Sequence, residues 1–476
     1  MNRRGMTLIE MMVAMTATLL LMGVIAQVFS VFGSAISDSR SVIELDGRMR
    51  VAAWQLRSDL AGVTAPTLPP LRPDADAGYF EIIEGANNDW QSYFDADSGN
   101  GPNDPATDKR IPTTPNAIVG DTDDVLLFTT RRTDPPFLGK FLTGRYESPI
   151  AEIAWFLRPT RLNGNIATTN PVTFTLFRRQ LLVVGYAGAP PFLSNRNALD
   201  QQMSSGTWAT WAKLYSDFDI SVRGAGDGIE GNPITYMPNT LSDLTRRESR
   251  FMHSHNYAWR TDGVGFAFKF PIDFQYSDYD GLTFEDTSRE GEDVVLSNVI
   301  AFDVRVFDPT APARVDALTN TVVVPGDPLF AGGANASTGA YVDLGNGIAT
   351  IGTSGLVPRF HSRGLTRSSL DRAGGETPVT WDTGSTHYES DGVDQDNNGV
   401  IDQGTNGIDD NSDGIVDNGL MDLNGDGDFE DAGESGELET TVPYPFPLRG
   451  IEVRLRCYDP SSRQVRQVTI RHTFVR

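Results

Sequence analysis

The sequence predicts an α+β protein: a long N-terminal transmembrane and amphipathic helix packed on a mostly antiparallel β-sheet body with large loop insertions. Three observations carry that prediction. An uncharged run occupies Met11 to Ile36 and leads directly into a stretch with helical periodicity. Short runs rich in β-branched and aromatic residues then recur to the C-terminus. Between them lie Gly/Pro/Asn-rich stretches too long for ordinary connections. Composition sets the outer bounds. Of 476 residues, 39% are hydrophobic and 9% aromatic, which allows a real core. The 63 acidic against 39 basic residues give a net charge of -24, so a polyanion such as nucleic acid is repelled rather than gripped. Cys457 is the one cysteine, and no intramolecular disulfide can form.

The first element is a membrane helix. The 26 residues from Met11 to Ile36 reach about 39 Å as a helix, enough to cross a hydrocarbon core of about 30 Å. Arg3 and Arg4 precede the run, so the N-terminus should stay cytoplasmic and the bulk should be exported. A secretory signal would be shorter and would end in a small-residue cleavage site. The helix is expected to continue, because Val42, Leu45, Met49, Ala52, Ala53, Leu56 and Leu60 recur at spacings of three and four. Arg48, Arg50 and Arg57 fall off that stripe, and Gly62 followed by Pro66, Pro69 and Pro70 ends it. One residue disturbs this picture: Glu10 stands at the mouth of the apolar run, where a carboxylate is costly unless something compensates it.

Arg4-Gly5-Met6-Thr7-Leu8-Ile9-Glu10 closely resembles the prepilin cleavage and methylation motif of type IV pilins and type II secretion pseudopilins. The resemblance implies that a membrane-bound prepilin peptidase cuts after Gly5 and methylates the new amine of Met6. Phe is usual at that first mature position, and Met6 stands there instead. Glu10 becomes the fifth mature residue, and the family implies a partner for it: the N-terminal amine of a neighbouring subunit, which sets axial register between helices. The expected organisation is a cleaved leader at 1–5, a transmembrane helix at 6–36, its amphipathic continuation at 37–61 and an exported body at 62–476. The implied location is a single pass through the bacterial inner membrane, with the body in the periplasm.

Strands are expected at 125–132, 151–159, 172–184, 294–309, 448–460 and 466–475. Ile451, Val453, Leu455 and Cys457 alternate with Glu452, Arg454 and Arg456, the mark of a half-buried strand. YDPSSRQ then reads as a hairpin turn. The stretches near 95–120, 185–210, 224–240 and 310–375 read as insertions on this scaffold. LFRRQ (176–180), LSNVIAFDVRVFD (296–308) and the terminal LRGIEVRLRCYDPSSRQVRQVTIRHTFV (448–475) resemble the sheet strands of J-type minor pseudopilins. That resemblance implies a minor subunit at or near the tip of a type II secretion pseudopilus, acting in filament initiation and protein export. Its partners would be other pseudopilins or pilins, with secreted cargo as a further contact. The alternative is a minor pilin of a type IV pilus, a calcium-stabilised tip adhesin.

The block at 391–434 is an internal repeat. From Asp391 to Glu439 there are sixteen Asp or Glu and no Lys or Arg. Three frames of D-x-[DN]-x-[DN]-G fit it, each closed by glycine. The first frame is Asp394, Asp396 and Asn398; the second is Asp409, Asn411 and Asp413; the third is Asp422, Asn424 and Asp426. Calcium takes six to eight oxygens at roughly 2.3–2.6 Å, and alternate side chains plus a carbonyl beyond a glycine turn supply them. The carbonyls would come from Val400, Ile415 and Asp428, and the ninth-position oxygens from Asp402, Asp417 and Glu430. The eighth position is apolar each time, at Ile401, Val416 and Phe429. Thr405, Leu420 and Gly433 stand where an EF-hand has its bidentate glutamate, so the block more resembles the calcium repeats of dockerins or thrombospondin type 3 segments. The competing reading is a solvated acidic linker. A second oxygen-rich loop runs from Asp95 to Asp104, without a repeat.

No catalytic constellation is visible. His253 and His255 in MHSHN lack a cysteine or acidic partner for zinc. No G-x-S-x-G, H-E-x-x-H or phosphate-binding G-x-x-x-x-G-K occurs. A structural, non-enzymatic protein is expected.

Overall fold

A computed structural model of the chain describes residues 7–69, 71–84, 120–122, 124–141, 144–162, 165–166, 173–184, 218–225, 235–245, 249–251, 292–316, 318, 320–325, 330, 334–345, 360, 379–384, 444 and 446–474. It opens with one helix, α1 (Leu8–Ala61), of 54 residues. From Leu8 to Gly33 the helix is long and apolar enough to cross a membrane, and none of it is buried inside the molecule. Farther on, Met49, Ala52, Ala53, Leu56 and Leu60 are all buried, as the three- and four-residue spacing requires. Ala52 and Ala53 keep that face thin, so the helix seats close to the sheet. Gly62 caps the helix, its N–H donating to the Asp59 carbonyl at 3.2 Å. A Cβ there would stand 2.3 Å from the Arg131 carbonyl oxygen, so only glycine allows the chain to turn so tightly past the sheet.

Sixteen strands follow in the described residues. They are β1 (Phe80–Glu84), β2 (Val125–Arg131), β3 (Phe137–Phe141), β4 (Gly144–Ser148), β5 (Ile150–Pro159), β6 (Arg161–Leu162), β7 (Asn165–Ile166) and β8 (Phe174–Leu182). After them come β9 (Val222–Ala225), β10 (Thr235–Pro238), β11 (Val294–Val315), β12 (Val322–Val323), β13 (Ala334–Val342), β14 (Val379–Asp382), β15 (Gly450–Asp459) and β16 (Gln464–Thr473). Ten of them form one sheet in the order β14-β1-β2-β5-β8-β11-β15-β16, with β12 and β13 also on β11. Every ladder in it is antiparallel. The spine is β11. Its start pairs with β8, its middle meets residues 120 and 121 through Ile300 and Phe302, and its far half pairs with β13. Register shifts mark each handover, the bends that β-bulges introduce.

Alternation splits the sheet between two cores. Phe80, Phe128, Trp155, Phe302, Val304, Val453 and Leu455 pack with the buried face of α1. On the other side Tyr79, Leu127, Phe156 and Phe177 lie under Leu241, Leu244 and Phe251. The Phe474 ring is 5.0 Å from that of Phe80, so the sheet curls until its last strand returns toward β1. Two buried arginines tie the parts together. Arg178 grips Asp59 of α1 at 2.7 and 2.8 Å, and Trp155 Nε1 donates to the same carboxylate at 3.2 Å. Arg250 meets Glu81 at 3.0 Å and Asp382 at 2.8 Å, and caps the Tyr79 ring.

Six expected strands appear near their expected bounds. Two expected insertions are corrected in part. The stretch near 224–240 holds most of the β9–β10 pair, and 310–375 holds the end of β11, β12 and β13. The β13 segment, ANASTGAYV, carries small and glycine residues that β-propensity disfavours, and its pairing with β11 supplies what propensity does not. The stretch 185–210 and all of 95–120 but its last residue lie outside the described residues.

Candidate processing and assembly site

The described chain begins at Thr7, so Gly5 and Met6 lie just outside it. Thr7 is the N-cap of α1, in extended conformation with φ -74° and ψ 152°. Its Oγ1 accepts the Glu10 N–H at 3.3 Å, and Glu10 Oε2 accepts the Thr7 N–H at 2.9 Å. This reciprocal capping box satisfies two backbone donors that a helix start leaves orphaned. The Thr7 hydroxyl also reaches the same oxygen, at 3.0 Å. Glu10 therefore has a local partner before any neighbour arrives. The motif reading singles out Glu10 and passes over Thr7, although T-x-x-E ahead of an apolar run is itself a capping signature.

Beyond the cap, Leu8 and Ile9 are 77% and 73% exposed, and exposed apolar side chains continue through Phe32. Lipid is the solvent such a surface needs. The polar interruptions fit that reading: the Thr16 and Thr18 hydroxyls donate to the Met12 and Ala14 carbonyls, one turn back. A hydroxyl paired this way costs little in hydrocarbon.

Residues 1–26 match the Prokaryotic N-terminal methylation motif family. That match supports a type IV pilin-like prepilin. No curated protein and no solved structure matches the chain. The motif and the apolar helix together suggest membrane anchoring, and are consistent with pilin partners and a prepilin peptidase.

The body end of the helix has its own attachment. Ser41 Oγ donates to Asp459 Oδ2 at 2.6 Å, and Asp459 also accepts from Ser461 N, Ser461 Oγ and Ser462 Oγ at 3.0, 2.8 and 2.7 Å. Burial pushes the Asp459 carboxyl up, but the bonds from Ser41, Ser462 and Ser461 outweigh it and hold it well below the usual carboxylate range. The turn read in YDPSSRQ is thus the place where the hairpin of β15 and β16 meets the helix.

The structure brings none of the expected calcium ligands into view, because all of them lie outside the described residues. In the first frame these are Asp394, Asp396, Asn398, Val400 and Asp402. In the second they are Asp409, Asn411, Asp413, Ile415 and Asp417, and in the third Asp422, Asn424, Asp426, Asp428 and Glu430. The loop at 95–104 and the pair His253 and His255 lie outside as well. Within the described residues a different carboxylate group has ligand spacing. Glu84, Asp121 and Asp124 each place an oxygen within 4.8 Å of the others, and all three are buried. Leu344 N donates to Glu84 at 3.1 Å and Val304 N to Asp124 at 2.6 Å. No local pattern announces this group, because Glu84 is far in sequence from the two aspartates and meets them only through the sheet.

Proposed function

We propose that the protein is a membrane-anchored structural subunit of a pilin-type filament, and specifically a minor pseudopilin at or near the tip of a type II secretion pseudopilus. The observation that carries this reading is the continuity of α1. A methylation motif runs into one unbroken helix that is fully exposed to Gly33 and then seated in a curled sheet. Prepilin peptidase would cut after Gly5 and methylate Met6 from the cytoplasmic side of the inner membrane, leaving the body in the periplasm. Glu10 would exchange its bond to Thr7 for the amine of an adjacent subunit, because an opposite charge at the bilayer edge compensates a desolvated carboxylate better than a neutral donor does. Bulky inserts are hard to repeat along a helical shaft, which favours the tip. The likeness of the β8, β11 and β15–β16 segments to J-type strands supports secretion over a retractable pilus. The role is structural rather than catalytic.

The Glu10→Ala variant tests the assembly role. Its leader is still removed, and its incorporation into filaments, read by crosslinking to co-expressed pseudopilins, falls to background; normal incorporation refutes the register role. We further propose that 391–434 binds calcium. The full chain in detergent should then melt at higher temperature with calcium than with chelator. An unchanged melting curve together with no calcium uptake by calorimetry removes that assignment.

A further inference from the structure

The β15–β16 hairpin concentrates positive charge on a chain whose net charge is -24. From Ser461 to Arg476 there are arginines at 463, 466, 471 and 476 and no acidic residue. On one face of the hairpin, Glu452 accepts Arg454 Nε at 2.8 Å on one oxygen and Arg471 Nε at 2.6 Å on the other. The Glu452 side chain is 2% exposed, while that of Arg471 is 67% exposed. A buried carboxylate therefore fixes the Arg471 guanidinium by its inner nitrogen, and among the described residues the two outer nitrogens make no hydrogen bond. Burial pushes the Glu452 carboxyl up, but the arginine bonds outweigh it and keep it below the usual range, so the anchor stays charged. Arg57, exposed on α1, makes no side-chain hydrogen bond or ion pair among the described residues. With Gln467 and Thr469 these residues line an open groove of about 550 Å³. Three guanidinium groups face it against one carboxylate.

We propose that this groove docks an acidic polypeptide segment of a partner protein, whose carboxylates pair with Arg57 and Arg471. Guanidinium is the side chain suited to planar, bidentate recognition of carboxylate. Trp54, 66% exposed and three residues before Arg57, offers the aromatic contact that commonly anchors such segments. Phospholipid headgroups are out of reach, since Arg57 lies about 36 Å along the helix from Gly33, several screening lengths from the bilayer edge. A single inorganic anion would fill only a small part of the groove.

The experiment is calorimetric titration of the full chain, in zwitterionic detergent, with a synthetic peptide alternating Glu and Ser and with its Gln counterpart. The Glu peptide binds and the Gln peptide does not, and raising salt from about 0.05 to 0.5 M weakens binding through screening. Arg57→Glu and Arg471→Gln each weaken it by about tenfold, the low end for a charge-assisted hydrogen bond. Arg57→Glu leaves the melting temperature unchanged, because that side chain is exposed, and Arg471→Gln retains a donor for Glu452. Equal binding of the two peptides, no binding heat, phosphate binding as tightly as the peptide, or a double variant that binds like the parent each overturn the proposal. None of these readouts involves filament assembly, so failure here is distinct from failure of the filament reading.

Discussion

Glu10, Asp59 and Cys457 each sit where a different solvent decides their chemistry. Glu10 closes a capping box with Thr7 at the exposed start of α1, an arrangement worth about 1 kcal/mol of helix-end stability. Asp59 is enclosed with Arg178 and Trp155 where α1 meets the sheet. Asp59→Ala leaves that guanidinium buried without its counterion, and denaturant unfolding should report a loss of about 3–5 kcal/mol, the range for a broken buried pair. Wild-type stability in that assay would mean that water or another carboxylate reaches Arg178. Cys457 lies in the helix-side core with no exposed surface, and burial pushes its thiol up to about 12. A thiol reagent should leave the native protein unmodified at neutral pH and label one site per chain after denaturation. Rapid native labelling would place β15 elsewhere.

At the scale of elements, the hairpin turn after β15 is bound to the helix through Asp459 and Ser41. Because the folded carboxyl is held below its unfolded value, the stabilisation is complete above the ordinary aspartate pKa of about 3.9. It is lost as pH falls through that value toward the folded one. Melting followed from about pH 6 to about pH 2 should show Asp459→Asn converging on the parent at the acid end; parallel curves would contradict the linkage. The elements legible in the sequence share one property: their own residues state their periodicity. The α1 stripe from Met49 to Leu60 and the apolar positions Ile451, Val453, Leu455 and Cys457 are buried as read, while Glu452 on the opposite face is buried as well, held by Arg454 and Arg471. Elements recruited by neighbours are not legible. FEIIE in β1 is buried on all five residues, because Glu81 is held by Arg250 from a distant segment. VTWD in β14 is an edge strand defined by its pairing to β1. Asp59 falls on the apolar stripe itself, three residues after Leu56, and no local pattern explains a carboxylate there, since its partner Arg178 is 119 residues away. The N-terminal motif is legible because it is local, and the cap formed by Thr7 is equally local once T-x-x-E is recognised.

Among the described residues, the molecule is a rod with a body at one end. Its exposed apolar half has no counterpart in the curled sheet, which buries only the later turns of α1. That division makes sense if one half belongs to lipid and later to neighbouring helices, while the other carries the folded body. On the proposed reading, prepilin processing exposes the start of this rod. Mass spectrometry of the N-terminal peptide from native membranes tests it most directly: the chain should begin at Met6 and carry one methyl group on its amine. A chain that still begins at Met1, or that is cut beyond the apolar helix, would contradict it.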